Sequence, residues 1–367
     1  MKLLKSKKPS IGSPAAPGND RFGITAKEYN TIDILKFVLS LFVLVIHSEI
    51  DKTFISPLLR IAVPSFFLIS SSLFFSKIST LPDAKSKNHA LKRLVKRNTY
   101  LYLFWVILQI PIQLTSYHYP ISFSLRGIWS AIKAVFFIIC YHGFTGSWYI
   151  VALVIGTVII YFCSKKISAG WLVLLTLPIY VMCCFSTNYR GLFSSESFVM
   201  QFLSTFETIT QRSPHVTLLC ALPWIAIGNY FVTYPIRIKT SALGILLACF
   251  AALIAAERYW VLLHNWSYAD DCYFTLILLC PALLLLLSRH QFSFHSRFRF
   301  REMSTLVYVT HGSCSRIIGY LLKKTSLDPL FCVYLKIGVS FAIIMIAGML
   351  FLILRDKLHS KILRYSC

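Results

Sequence analysis

Apolar runs of about twenty residues recur along the chain, at 32–50, 57–76, 99–117, 146–163, 169–186, 215–233, 241–257, 271–288, 303–322 and 331–354. A helix of that length matches the hydrocarbon thickness of a bilayer, and in lipid the backbone must satisfy its own hydrogen bonds. The pattern predicts an all-α, polytopic helical integral membrane protein with about ten transmembrane helices. With 56% hydrophobic residues and a mean hydropathy of +0.67, nothing is left over for a separate soluble domain. Residues 1–28, which include Pro9, Gly12, Pro14, Pro17 and Gly18, read as a flexible basic tail. They lack the apolar core and cleavage site of a secretory signal, so the tail is expected to stay in the cytosol. Residues 357–367 read as a second basic cytosolic tail.

One of these runs is unlike ordinary lipid-facing helix. The stretch from Asp33 to Asp51 carries Asp33, Lys36, Ser40 and His47 in or at the edge of an apolar span. An ionisable side chain at the bilayer centre costs about 2.5 kcal/mol or more, so its default reading is functional. At about 100° per residue, the eleven-residue step from Lys36 to His47 brings both to within about 20° of one face, about 16 Å apart along the axis. Asp33 lies three residues before Lys36, Ser40 four after it, and Asp51 four after His47. A polar stripe results. Its plainer alternative is a helix-packing stripe in which the histidine bonds a neighbour.

The net charge of +23 would point to nucleic acid in a soluble chain, but here its distribution follows topology. Residues 125–141, with Arg126 and Lys133, form a shorter run that reads as a span or as an interfacial helix. Taken as interfacial, with the N-terminus inside, it leaves 25 basic residues on the inner side, 8 on the outer and four within spans, of the 37 present. Taken as a span, it would invert every later loop against the positive-inside rule. Ten spans with both termini cytosolic is therefore expected. The 11 cysteines, among them Cys140, Cys183, Cys184, Cys220, Cys280 and Cys314, contain no CxxC pair and read as apolar filler, with no metal site implied.

Asp33, Lys36 and His47 in IDILKFVLSLFVLVIHS resemble the first span of the membrane acyltransferase type 3 family, in which a basic residue, ten positions and a histidine form the signature. Further stretches carry the resemblance from about residue 31 to 354. VPSFFLISSSLFF, at 63–75, is similar to an apolar family motif, with Ser71 where the family usually has glycine. Arg93-Leu-Val-Lys96 resembles the family's R-x-x-R motif, with Arg97 as an alternative second member. GSWYIVAL, around Trp148, resembles a further motif, although an interfacial tryptophan alone accounts for its position. Arg212 precedes Pro223 and Gly228 as an arginine precedes proline and glycine in the family, and reads equally as an anchor. STLVYVTHGSCSR matches an S-x-x-x-Y-x-x-H pattern through Ser304, Tyr308 and His311, with Arg316 five residues on.

The resemblance implies an O-acyltransferase that moves an acetyl or short acyl group from acyl-CoA to a hydroxyl of a cell-envelope glycan or lipid-linked sugar. Acyl-CoA and the saccharide are then partners along with membrane lipid, acyl-CoA is a donor substrate, no bound cofactor is implied, and the location is the bacterial inner membrane. Such a transfer needs a base for the hydroxyl proton and stabilisation of the charge that develops on the thioester oxygen. Imidazole suits the first task, which makes His47 the expected base and Asp51, with Glu49 second, its orienter. Lys36, Arg93, Lys96 and Arg97 are the expected donor-binding residues, since guanidinium groups match phosphate geometry. As a plain alternative, the basic cluster is a positive-inside anchor. Trp148, Arg212, Tyr308 and His311 are expected to line the acceptor pocket. No GxSxG motif appears, which favours direct transfer over an acyl-enzyme. The rival class is a transporter or flippase using the same intramembrane groups as a substrate path.

Overall fold

The computed structural model describes residues 27–48, 55–116, 124–290, 292–358 and 366–367. Among these the chain is helical almost throughout. The first helix, α1 (Thr31–Ile46), starts at a capping box in which Asn30 accepts from the Asp33 amide at 3.1 Å and the Asp33 carboxylate accepts from the Asn30 amide. Ahead of it, β1 (Lys27–Asn30) pairs antiparallel with β2 (Ser293–Ser296), in register Tyr29 with Phe294 and Asn30 with Ser293. The strand overlaps the last two residues of the expected tail. Phe37, Phe298 and Phe300 stack edge to face beneath the strand pair, so the start of α1 is anchored by aromatic packing.

The second expected span is broken at Arg60 into α2 (Ser56–Leu59) and α3 (Ala62–Ser79). The expected basic loop before the third span is helical and continuous with it as α4 (Ala84–Ser116). An amphipathic α5 (Leu125–Phe137) follows, then a π-helical turn Ile138–His142 and α6 (Trp148–Cys163). Next come α7 (Ala169–Phe185), α8 (Phe198–Thr210) within the expected long outer loop, α9 (Leu218–Thr233) and α10 (Thr240–Leu263). The chain closes with α11 (Leu276–Arg289), α12 (Phe300–Leu322) and α13 (Pro329–Leu358). Ser56–Ser79, Thr240–Leu263 and Pro329–Leu358 are long and apolar enough to cross a membrane, with shorter apolar helices between them.

At the centre, α3 packs on α9 where Gly228 meets Ser71. A methyl group at position 228 would overlap the Ser71 side chain, so the close approach depends on a glycine in α9 facing a serine in α3. Tyr180 and the fully buried Trp224 pack edge to face, and the Tyr180 hydroxyl donates to the Tyr273 carbonyl at 2.8 Å.

The relation of α1 to α12 positions the site. Arg301 donates to Asp33, Ser304 to the Lys36 carbonyl and Ser315 to the His47 carbonyl, and the separation is 268 residues in all three. A constant offset means that the helices run parallel and in register from end to end. The α4 helix runs the same way, with Gln109 donating to the Val309 carbonyl at 2.9 Å and accepting from Ser313, while Arg316 reaches Gln113 at 3.3 Å. The expected second tail also docks at its far end: Trp105 of α4 donates to the Ser366 carbonyl at 2.7 Å, and Arg355 of α13 donates to Cys367. Cysteine burial is uneven, with Cys183, Cys184, Cys220, Cys272 and Cys280 buried but Cys140 and Cys249 exposed, so filler does not describe the last two.

Candidate active site

The α1–α12 register carries four of the sequence-predicted residues. Lys36 lies beside Ser304, His47 beside Ser315, and between them Tyr308 and His311 face the levels of Ser40 and Val43. His47 and His311 meet ring to ring, with centroids 4.8 Å apart. His47 ends α1 and is exposed, whereas His311 has no exposed surface. Ser40 is buried but returns its hydroxyl to the Phe37 carbonyl at 2.6 Å, so it belongs to the stripe without facing a partner. Asp51 and Glu49 lie outside the described residues.

The loop before α6 closes this region. Gly146 has φ +83°, a left-handed conformation that glycine adopts at little cost, and its carbonyl accepts from the Tyr308 hydroxyl. A methyl group there would press on His311 Cε1 and the Tyr308 oxygen, so the backbone itself forms the wall. Gly312 faces Thr145, which also accepts from Arg316 at 3.2 Å. Tyr149 meets Tyr308 edge to face and lies tilted against Phe67, and Trp148 packs against Phe67.

A set of charges outside the expected site residues stands at the histidine end. Arg60 donates to Asp271 at 2.7 Å, and His215 Nε2 lies 3.3 Å from the other Asp271 oxygen. Arg60 and Asp271 both lie within electrostatic reach of His47. Burial alone would raise the Asp271 carboxyl, but Arg60, then His215, then His47 together hold it well below the usual carboxylate range. Asp270 beside it takes Arg258, Tyr273 and Ser56, so the two carboxylates fasten α2, α10 and the segment before α11. Arg60 carried a signal of its own, as a cation within an apolar run.

At the opposite end, Arg97 and Arg301 are within electrostatic range of Lys36. Arg93 turns to His89 and Lys96 to the Tyr100 ring along the exposed face of α4, so among the cluster Arg97 is the member near the stripe. Arg212 does not join the histidines. It donates to the Tyr141 carbonyl at 2.6 Å and covers the Tyr141 ring.

Comparison with known proteins supplies the wider context. Residues 29–354 match the acyltransferase domain family. The chain belongs to the acyltransferase 3 family. Family membership and the apolar helices together mark an acyltransferase-type integral membrane protein. An amino-acid racemase of Enterococcus faecalis is 24% identical over 224 residues, which is 58% of this chain and 29% of the racemase. The chain thus spans about three tenths of that relative's length. No solved structure matches the chain.

Proposed function

We propose that the protein is a membrane-embedded O-acyltransferase that moves an acetyl or short acyl group from acyl-CoA to a hydroxyl of a cell-envelope glycan or lipid-linked sugar. In this reading ten spans cross the bacterial cytoplasmic membrane with both termini in the cytosol, as the distribution of basic residues favours. The observation that carries it is the seam shared by α1, α4 and α12. It has a cationic end at Lys36 and Arg97 and an imidazole end at His47 and His311, about 16 Å apart by helix rise. That separation suits a donor whose phosphates and thioester lie at opposite ends of a flexible arm. Arg93 and Lys96, on the exposed face of α4, receive the donor's phosphates first.

His47 takes the proton of the acceptor hydroxyl as its oxygen attacks the thioester carbonyl. The new C–O bond forms, the C–S bond breaks, and the thiolate leaves as a thiol after taking that proton back. Tyr308, Trp148 and the Gly146 backbone line the acceptor side, and Arg212 stands further out. The polar run from the buried Gln109, Ser313 and Gln113 to the exposed Arg316 and the half-buried Thr145 favours a second reading, a path for a polar or lipid-linked substrate in a transporter or flippase.

The purified protein in lipid discs, given radiolabelled acetyl-CoA and envelope glycan, separates the two. Transfer of label to glycan is expected. Binding of glycan without any use of the thioester would reject the enzyme in favour of the transporter.

A further inference from the structure

The two histidines differ in what their nitrogens can do. His311 Nδ1 lies 2.6 Å from the Tyr308 carbonyl, an oxygen that only accepts, so Nδ1 carries the proton. In the neutral ring Nε2 is then a bare lone pair. That nitrogen is fully buried and, among the described residues, has no hydrogen-bond partner. Leaving a buried acceptor unpaired costs free energy comparable to a lost hydrogen bond, which the fold tolerates beside the His47 ring. The ring is also held from other directions. Tyr308, its anchor, is tied to the Gly146 carbonyl, and a side chain on Gly146 would press on Cε1. Most buried side-chain nitrogens that serve packing alone find a partner.

We propose that His311 is the positioning residue for His47: a tautomer-locked imidazole whose Nε2 lone pair accepts the N–H of the His47 imidazolium formed during acyl transfer. This deepens the reading of His47 as the base and rests on it. When His47 takes the hydroxyl proton, its ring becomes a cation with two N–H groups, and His311 offers an oriented acceptor to one of them. The His311 proton stays on Nδ1, and no proton moves between the rings. A neutral acceptor here does for imidazolium what a carboxylate does for histidine in other acyl-transfer sites, without placing a second full charge in the bundle. Among the described residues, the charged and titratable groups that face His47 are His311 from α12, Arg60 from the α2–α3 turn and Asp271 from the segment before α11. Arg60 holds one Asp271 oxygen and His215 pairs with the other.

The test uses full-length protein in lipid discs, acetyl-CoA as donor, envelope glycan as acceptor and released thiol as the readout, with nitrogen-15 histidine spectra recorded on the same samples. In the wild type, the resonances lost in His311→Phe should report a protonated Nδ1 and a bare Nε2 at pH 7. A protonated Nε2 or a doubly protonated ring overturns the proposal whatever the activity of the variants. Removing the acceptor destabilises the His47 cation, so the acid limb of the pH–rate profile should move to lower pH in His311→Phe, by about one unit. The plateau kcat should fall about tenfold or more while the KM for acetyl-CoA holds. His311→Gln, which keeps an acceptor oxygen, should recover part of both effects. An unmoved acid limb in a folded His311→Phe protein, with His47→Gln inactive, overturns the positioning role alone. Near-normal thiol release by His47→Gln overturns the base assignment itself.

Discussion

Arg301 grips Asp33 through two hydrogen bonds, 2.9 and 2.7 Å, from one side of a carboxylate that also caps its own helix. Asp33 is buried and Arg301 is exposed, so the two ends of the pair are not equivalent. Asp33→Ala loses the capping box and the bidentate pair together and should cost about 2–3 kcal/mol. Arg301→Ala leaves the cap intact and should cost about 1 kcal/mol. Thermal unfolding in detergent reads the order, and equal losses would mean that the capping box adds nothing beyond the ion pair.

Gly228 and Ser71 make the second prediction. Gly228→Ala should destabilise by about 1–3 kcal/mol because the added methyl meets the Ser71 side chain. Ser71→Gly should be mild alone and should restore most of the loss in the double variant. A double-mutant cycle with no coupling would show that α9 shifts to make room.

The Asp271 carboxyl is held below its ordinary range, which fixes the sign of its linkage to pH. Its contribution to stability is present above the ordinary carboxylate pKa of about 4 and is lost as pH falls through the lower, folded value. Melting temperature should therefore be insensitive to Asp271 between pH 7 and 5 and decline below about 4. Asp271→Asn should lower stability at pH 7 and flatten that decline. An unchanged acid slope in the variant would remove Asp271 from the linkage.

Among the basic residues of α4, proximity to Lys36 orders the expected effects on donor binding. Arg97→Ala should weaken coenzyme A binding by about 1.5–3 kcal/mol, and Arg93→Ala by less. Calorimetric titration distinguishes this from a topological anchor, for which both variants bind as the wild type does.

His47→Ala should cut acyl transfer by roughly 10²-fold or more with donor affinity nearly intact, and His47→Gln should be almost as damaging. Lys36→Ala should act through donor affinity, since about 16 Å of helix separates it from the reacting proton. Matched expression in membranes and a labelled-acetyl assay decide, and a glutamine variant with near-normal transfer returns the stripe to helix packing.

The helices were legible because a 20-residue apolar run has few alternatives, and the limits of α6, α7 and α9 fall within a few residues of expectation. The Lys36–His47 face was legible from helical periodicity alone. What periodicity does not encode is which helices become neighbours. Nothing local in SFHSRFRFREM says that Arg301 meets Asp33, nor does the sequence around Arg60 announce Asp271, because each pairing depends on packing across more than two hundred residues. The break at Arg60 and the continuation of α4 through its basic stretch were hidden for another reason. Hydropathy marks where lipid begins, and a helix does not stop there.

The constant spacing of 268 residues between α1 and α12 also has a meaning for biogenesis. During synthesis the first helix enters the bilayer with Asp33, Lys36 and His47 aboard, long before Arg301, Ser304 and Ser315 exist to receive them. Those polar groups must be sheltered by water, by headgroups or by the insertion machinery until α12 arrives and slides in alongside. Loss of the last helices therefore strands the first one, and a truncated chain should be recognised for degradation through its N-terminal helix, far from the lesion.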